Sequence, residues 1–271
     1  RLSLVGSEMC IRDSFNSINF NLITVKHISK SFADVQILKD VSFVFETGKT
    51  NLIIGKSGSG KSVLTKCIVG LFEPDEGEIF YDERKLSDLK PKARKEIRKE
   101  IGMLFQASAL FDSLTVEENV AFPLNMFTKM TKEEISDRVN FCLNRVNIIN
   151  KNQLFPSELS GGMQKRVAIA RAIAMQPKYL FCDEPNSGLD PVTAIVIDEL
   201  IKEITDEYNM TTIVITHDMN SVLEIGENIM FIDSGENKWT GTKNEILDVK
   251  VKELHDFIYV SKFLQQMKRK R

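Results

Sequence analysis

Long apolar runs are missing from this chain: none approaches the roughly 18 residues that a helical membrane span needs, so any role at a membrane requires a partner chain. A surplus of charge is missing too. The 36 Lys and Arg stand against 38 Asp and Glu, for a formal net charge of −2, which leaves no basic footprint for nucleic acid. Cysteine is sparse. Cys10, Cys67, Cys142 and Cys182 are scattered without metal-ligand or disulfide spacing, and they read as small core side chains in a reducing cytosol. No internal repeat or low-complexity tract is visible, and there is no signal-peptide pattern. The opening RLSLVGSEMCIRDSF lacks an initiator Met and resembles a translated sequencing adapter. Residues 1–20 are therefore expected to be an artefactual or disordered leader, with the protein proper beginning between Phe15 and Asn21.

What is present is a soluble-enzyme composition, 42% hydrophobic and 27% charged over 271 residues, enough for a sizeable core in one or two domains. Leu22–Ile28 and Leu38–Phe45 read as strands around a turn at Ser31–Val35, and Glu78–Tyr81 and Ile101–Phe105 as short strands. Between these last two lies a charged helix, Pro91–Lys99, whose Pro suits a first helical turn. Residues from about 107 to 176 have little strand character. There, Thr131 and Glu134 form a capping box that opens a helix over Lys132–Arg145, with Ile135, Val139 and Cys142 on one face. Beyond Pro177, strands Tyr179–Asp183, Thr211–Thr216 and Asn228–Ile232 alternate with helices Ala194–Glu207 and Met219–Ile225. Such alternation predicts a largely parallel sheet covered on both faces.

The chemistry concentrates in a few segments. Gly55-Lys56-Ser57-Gly58-Ser59-Gly60-Lys61-Ser62 fits a phosphate-binding loop, with the apolar strand Asn51–Ile54 before it and a helix over Ser62–Gly70 after it. Gly58 and Gly60 let the backbone wrap a β-phosphate, Lys61 can charge-balance β- and γ-oxygens, and Ser62 can ligate Mg²⁺. A second phosphate grip lies at Leu159–Met163, where Ser160, Gly161 and Gly162 open a helical stretch with bare N–H groups. Two grips imply either two nucleotides or one nucleotide held between two copies of the chain. The apolar strand Tyr179–Cys182 ends in Asp183 and Glu184, at the edge where open α/β sheets place ligands. There Asp183 can hold Mg²⁺ through water, and Glu184 can polarise an attacking water. His217 follows the apolar run Ile213–Thr216 and points to the same crevice, within reach of a γ-phosphate, the water and Glu184. Gln106 follows Met103–Phe105, and its amide oxygen can reach Mg²⁺ or water. His27 and His255 have no such context and read as structural or surface residues.

The ordered set GKSGSGKS, Gln106, LSGGM, YLFCDEP, SGLD at Ser187–Asp190 and His217 resembles the nucleotide-binding subunit of an ABC transporter, over about Ile23 to Asp233. The resemblance implies an α/β P-loop NTPase fold of the ABC type: a RecA-like core, an antiparallel β subdomain and an inserted α-helical subdomain at about 107–176. The ATPase domain would occupy 21–250, with a C-terminal helix and basic tail at 251–271. It also implies ATP and Mg²⁺ as cofactors, with ATP sandwiched in a head-to-tail homodimer between one copy's Gly55–Ser62 and the other's Ser160–Gly162. Ser62, Gln106 and Asp183 would hold the metal, while Glu184, His217 and Gln106 would serve the chemistry. Phe32 resembles the aromatic that stacks on adenine, and Asp190 the acid that couples the two sites. From the residues alone, Phe32 reads equally as a core aromatic and Asp190 as a helix N-cap before Pro191. Two departures from the family pattern are Met163 where Gln is commonest and Asn186 where Thr is usual.

The stretch Gln106–Leu124, together with LSGGMQKR, is similar to the ATPase subunits of Mla-type phospholipid systems. That similarity implies lipid transport through a separate integral-membrane permease at the cytoplasmic face of the inner membrane, with a lipid-binding substrate protein as a further partner. Importers of methionine and other amino acids share parts of both segments, so a small-solute importer is the alternative. The segment Lys252–Arg271 fits the short C-terminal helix of the lipid branch, which contacts the neighbouring subunit. Its end, Lys268–Arg271, reads as a solvated basic tail or as a contact for anionic headgroups. A non-transport ABC ATPase acting on ribosomes or DNA is disfavoured, because the chain has neither a second cassette nor a long coiled-coil insert.

Overall fold

A computed structural model describes residues 22–259; Cys10, the leader and the basic tail lie outside the described residues. The chain runs β1 (Ile23–Phe32), β2 (Val35–Phe45), β3 (Thr50–Ile54), α1 (Lys61–Ile68), β4 (Glu76–Tyr81), β5 (Arg84–Lys85), α2 (Pro91–Lys99) and β6 (Ile101–Leu104). Three helices follow, α3 (Val116–Phe127), α4 (Lys132–Arg145) and α5 (Gly161–Ile173). Strands and helices then alternate: β7 (Tyr179–Asp183), α6 (Pro191–Tyr208), β8 (Thr211–Thr216), α7 (Met219–Ile225), β9 (Asn228–Asp233), β10 (Glu236–Gly241) and α8 (Lys252–Ile258).

Two sheets form. One is antiparallel, in the order β2-β1-β4-β5; the other has the order β10-β9-β3-β8-β7-β6. In the second, β9, β3, β8, β7 and β6 run parallel and only β10 is antiparallel. Strands β3 and β8 are buried along their whole length, as central strands of a sheet covered on both faces must be. Successive residues of a strand point to opposite faces, and the two cores follow that alternation. Leu52, Leu180, Cys182 and Val214 enter the core shared with α3, α5 and α6, whereas Ile53, Phe181, Ile213 and Ile215 face the core shared with α1 and the antiparallel sheet. Tyr81 ties the sheets together. Its ring packs edge-on against Tyr179 at 4.9 Å, and its hydroxyl donates to the Ile68 carbonyl at 2.8 Å. Cys67, Cys142 and Cys182 are free and buried.

Strand β10 has no counterpart in the sequence-based expectation. Its residues, ENKWTG, are mostly polar and only half-buried, so no apolar alternation announces an edge strand. The hairpin is made instead by Ser234 and Gly235, both at positive φ, the conformation that tight two-residue turns require. Helix α6 also starts earlier than the apolar pattern suggests, because Asp190 caps it and Pro191 occupies its first turn.

The helical segment is set by caps. Thr131 accepts from Glu134 N at 3.2 Å while Glu134 accepts from Thr131 N at 2.7 Å, and Thr115 and Glu118 repeat the arrangement at α3. Thr131→Ala is expected to lower stability by about 0.5–2 kcal/mol, seen as a lower urea midpoint; an unchanged midpoint would show the cap to be redundant.

Parallel register positions the site. Ile54 pairs with Thr216, Asp183 with Ile215 and Leu104 with Cys182. The carboxyl ends of β3, β8, β7 and β6 therefore reach one rim together, and the residues that follow each strand share one crevice.

Candidate active site

The loop after β3 turns sharply because two of its glycines have no room for a side chain. Gly55 has φ 151° and a Cβ there would meet the Ile232 carbonyl at 2.2 Å; Gly60 has φ 108° and a Cβ would meet Leu38 at 2.9 Å. Lys56, Ser57, Gly58, Gly60, Lys61 and Ser62 line a cleft of about 850 Å³, while Gly55 and Ser59 stay behind it. Gly60 leaves the first turn of α1 without a side-chain cap, so its N–H groups remain available to an anion.

Lys61 is buried, and its ammonium donates to the carbonyls of Gly55 at 2.7 Å and Lys56 at 2.8 Å. Burial lowers its pKa, and the negative charges of Glu184 and Asp183 oppose that shift. Among the described residues it has no carboxylate partner within salt-bridge distance, so a phosphate would supply the counter-charge that this buried cation lacks. Asp183 shows the complementary strain. Burial first, and then neighbouring Glu184, push its carboxyl above the ordinary value against the pull of Lys61, Lys66 and Lys165. A divalent cation would relieve it. Ser62, Asp183 and the Gln106 amide offer hard oxygen donors suited to Mg²⁺. These are three donors against the near-octahedral shell that Mg²⁺ favours, so phosphate oxygens and water would complete such a site.

Glu184, His217 and Gln106 meet at the rim. Glu184 sits at φ 45°, a conformation that costs a bulky residue energy, and its N–H is fixed to the Ile215 carbonyl at 2.9 Å. Its Oε1 lies 2.9 Å from His217 Nδ1 and its Oε2 accepts from Gln106 Nε2 at 3.0 Å. That bond leaves the amide oxygen of Gln106 as its acceptor atom. Three strand ends thus orient one carboxylate, an arrangement able to take a proton from a water in the cleft. Ile37 and Phe257 also line the cleft and were not anticipated. Ile37 carries no motif signal, whereas Phe257 falls three residues after buried Leu254 and directly before buried Ile258 on α8.

Other candidate residues stay outside the cleft. Ser160 caps α5, accepting from Met163 N at 3.3 Å, and with exposed Gly161 and half-buried Gly162 it is absent from the cleft wall. Asp190 is the N-cap of α6, accepting from Val192 N at 3.1 Å and Thr193 N at 3.0 Å. Phe32, 42% exposed, packs edge-on against Phe72 at 5.3 Å and does not line the cleft. His27 pairs with Asp40 at the surface, and His255 stacks on Tyr259.

Asn186 turns out to be a half-buried link, its amide donating to Ser221 Oγ on α7 at 2.9 Å. Beside it, burial pushes the Asp198 carboxyl up from 3.8 to about 6, against contacts with Ser221 and Asn186 that lower it; Asp218 and Glu224 raise it further. The folded chain therefore holds a proton that the unfolded chain releases between about pH 4 and 6, so this group adds stability as pH falls through 6. Relative to Asp198→Asn, the parent should gain on the order of 1–3 kcal/mol between pH 7 and pH 4. Urea titrations at both pH values measure it, and parallel pH profiles would exclude the shift.

A glycine-rich loop leading into a helix from a central parallel strand, with acids at the end of the next strand but one, defines an ATPase of the P-loop class. The chain belongs to the ABC transporter family, whose profile matches residues 38–187. It is 41% identical over 225 residues to the methionine import ATP-binding protein MetN of Clostridioides difficile (strain 630), spanning 83% of this chain and 70% of that one. It is 39% identical over 207 residues to the probable ribonucleotide transport ATP-binding protein mkl of Mycobacterium leprae (strain TN), spanning 76% and 60%. Among solved structures it resembles the dimeric cassette MJ0796 in a post-hydrolysis state bound to ADP and Pi (TM-score 0.74, 34% identity, 82% of this chain and 98% of that one). It also resembles cbiO1 of Clostridium perfringens, part of the transporter complex cbiONQ (TM-score 0.80, 29% identity, 92% and 99%). The protein has the ABC ATPase fold and is the ATP-hydrolysing subunit of an ABC transporter, with ATP and Mg²⁺ as its cofactors. No helix among the described residues is long and apolar enough to cross a membrane.

Proposed function

We propose that this chain powers the import of methionine or another small solute, as a homodimer seated on an integral-membrane permease at the cytoplasmic face of the inner membrane. For the ATPase, the carrying observation is Glu184, held between His217 and Gln106 at the mouth of the phosphate loop. For the cargo, it is the set of methionine-import relatives at about 40% identity, of which this chain covers up to 78% of the length.

Each role follows from position. Gly55–Ser62 wrap the phosphates, Lys61 neutralises them, and Phe32 stacks on the adenine once a nucleotide draws it in. Ser62, Gln106 and Asp183 would hold Mg²⁺ with their oxygens. Mg²⁺, when bound, supplies charge neutralisation at the phosphate oxygens. Glu184 takes the proton of the attacking water, and His217 fixes Glu184 and reaches toward the γ-phosphate. Ser160, Gly161 and Gly162 face away from their own cleft and serve that of the second copy, where Asp190 lies at the junction. The permease docks in an apolar groove of about 480 Å³ bounded by Phe105, Phe111, Phe122 and Phe127.

That groove favours a second reading. Ala109, Phe111, Phe122 and Pro123 of its wall belong to Gln106–Leu124, the stretch similar to phospholipid-transporting ATPases, and on this reading the cargo is a phospholipid delivered with a lipid-binding protein. Reconstitution of the chain with its co-purifying permease in proteoliposomes separates the two. ATP-dependent uptake of labelled methionine, or of another amino acid, supports import. Phospholipid transfer with no amino-acid uptake overturns the importer and leaves the lipid reading.

A further inference from the structure

Gln106 leaves β6 in a segment without regular structure that one helix holds in place. Ser108 and Ala109 both sit at positive φ, 61° and 46°, a conformation costly for residues other than glycine. Two cations of α5 grip their main chain. Arg171 donates through Nη2 to the Ser108 carbonyl at 2.8 Å and through Nη1 to the Ala109 carbonyl at 2.7 Å. One and a half turns earlier, the Lys165 ammonium donates to the carbonyl of Gln106 itself. Lys165 is only 4% exposed. A buried ammonium is expensive unless strongly partnered; Lys165 donates to this carbonyl, while the charges of Asp183 and Glu184 act on it without a salt-bridge contact among the described residues. The face it occupies is otherwise apolar, shared with buried Ala168, Ile169 and Ala172. An apolar side chain would pack on that face equally well, so the ammonium serves polar contacts: the Gln106 carbonyl by hydrogen bond and the Asp183 and Glu184 charges at longer range.

We propose that Lys165 and Arg171 are positioning residues that set Gln106 through its main chain, placing its amide oxygen where the cleft metal needs a donor. The proposal rests on the reading of Gln106 as that donor. Both cations lie on the helix whose first turn carries Ser160, Gly161 and Gly162, and Arg171 also borders the apolar groove. A rigid shift of α5 would therefore be felt directly at Gln106.

The test uses the full chain and a metal-binding measurement. Lys165→Met, which keeps the stem and removes the charge, is titrated with Mn²⁺ in the presence of ATP and followed by electron paramagnetic resonance. Metal affinity should fall by about 10–100-fold, the size seen when a group orienting a metal ligand is removed. Metal-free ATP binding should stay at the parent value, Arg171→Met should act in the same direction, and Lys165→Arg should restore most of the affinity. Gln106→Ala tests the underlying reading separately. If it weakens the metal while Lys165→Met and Arg171→Met keep parent affinity and lose only thermal stability, the clamp is purely structural and the proposal falls. If Gln106→Ala leaves metal affinity unchanged, Gln106 is not a donor, and the proposal falls together with that reading.

Discussion

Glu184→Gln is expected to lower kcat for ATP by about 10²–10⁴-fold while prolonging the ATP-bound dimer. The substitution preserves volume and keeps one acceptor oxygen for the Gln106 Nε2 donor at 3.0 Å, while its new NH2 donates to His217 Nδ1 at 2.9 Å in the tautomer that leaves that nitrogen unprotonated. What disappears is the negative charge and the capacity to accept a proton from water. Binding should be intact, because Lys61 and the loop N–H groups are untouched. A nucleotide that binds but is not cleaved holds the two copies together, so light scattering with ATP should report a dimer that persists. Turnover at the parent rate would remove Glu184 from the role of base. A loss of ATP binding would show that its main service is to the electrostatics of Lys61, whose pKa it helps to hold up.

Ser160→Arg should abolish turnover by a different route, leaving the affinity of a single copy for ATP unchanged. Ser160 is exposed and does not line its own cleft, so the change leaves the ATP contacts of that cleft in place. Its local effect is the loss of an N-cap, about 0.5–2 kcal/mol, which Ser160→Ala reproduces as a control. The arginine additionally projects from the N-terminus of α5, where N–H groups would meet the partner's phosphate, and it blocks closure by bulk. Equilibrium binding of a fluorescent ATP analogue to dilute protein, beside dimer formation in the Glu184→Gln background, separates the two effects. Weakened binding by the dilute single copy would argue that Ser160 serves its own cleft, against a shared site.

Much of the fold was legible because local rules dictate it. The apolar runs of strands β3, β7 and β8, the capping box at Thr131 and the Pro at the start of α2 are each specified by a few neighbouring residues. Strand β10 was not legible: its polar residues carry no periodicity, and it forms only because Ser234 and Gly235 turn the chain back along β9. Asp190 shows the opposite case. Its side chain does what its neighbours demand, capping α6, and nothing within one copy of the chain shows more. Lys165 and Arg171 read as ordinary helix cations in sequence; their grip on Gln106–Ala109 depends on how α5 packs against β6.

By itself, the sequence determined which groups are available to the chemistry: a loop whose glycines and lysine suit phosphate, acids at the end of an apolar strand, and a second phosphate grip at a helix start. These are local properties of residue type and spacing. Only the tertiary structure decided that Gln106, Glu184 and His217 converge on that loop, because the parallel register aligning Leu104, Asp183, Thr216 and Ile54 is set by strands far apart in the chain. The same packing decided that Ser160, Gly161 and Gly162 lie outside their own cleft. Helix α5 is fixed by its apolar face against β6 and α3, and Ser160 and Gly161 at its N-terminus are left exposed.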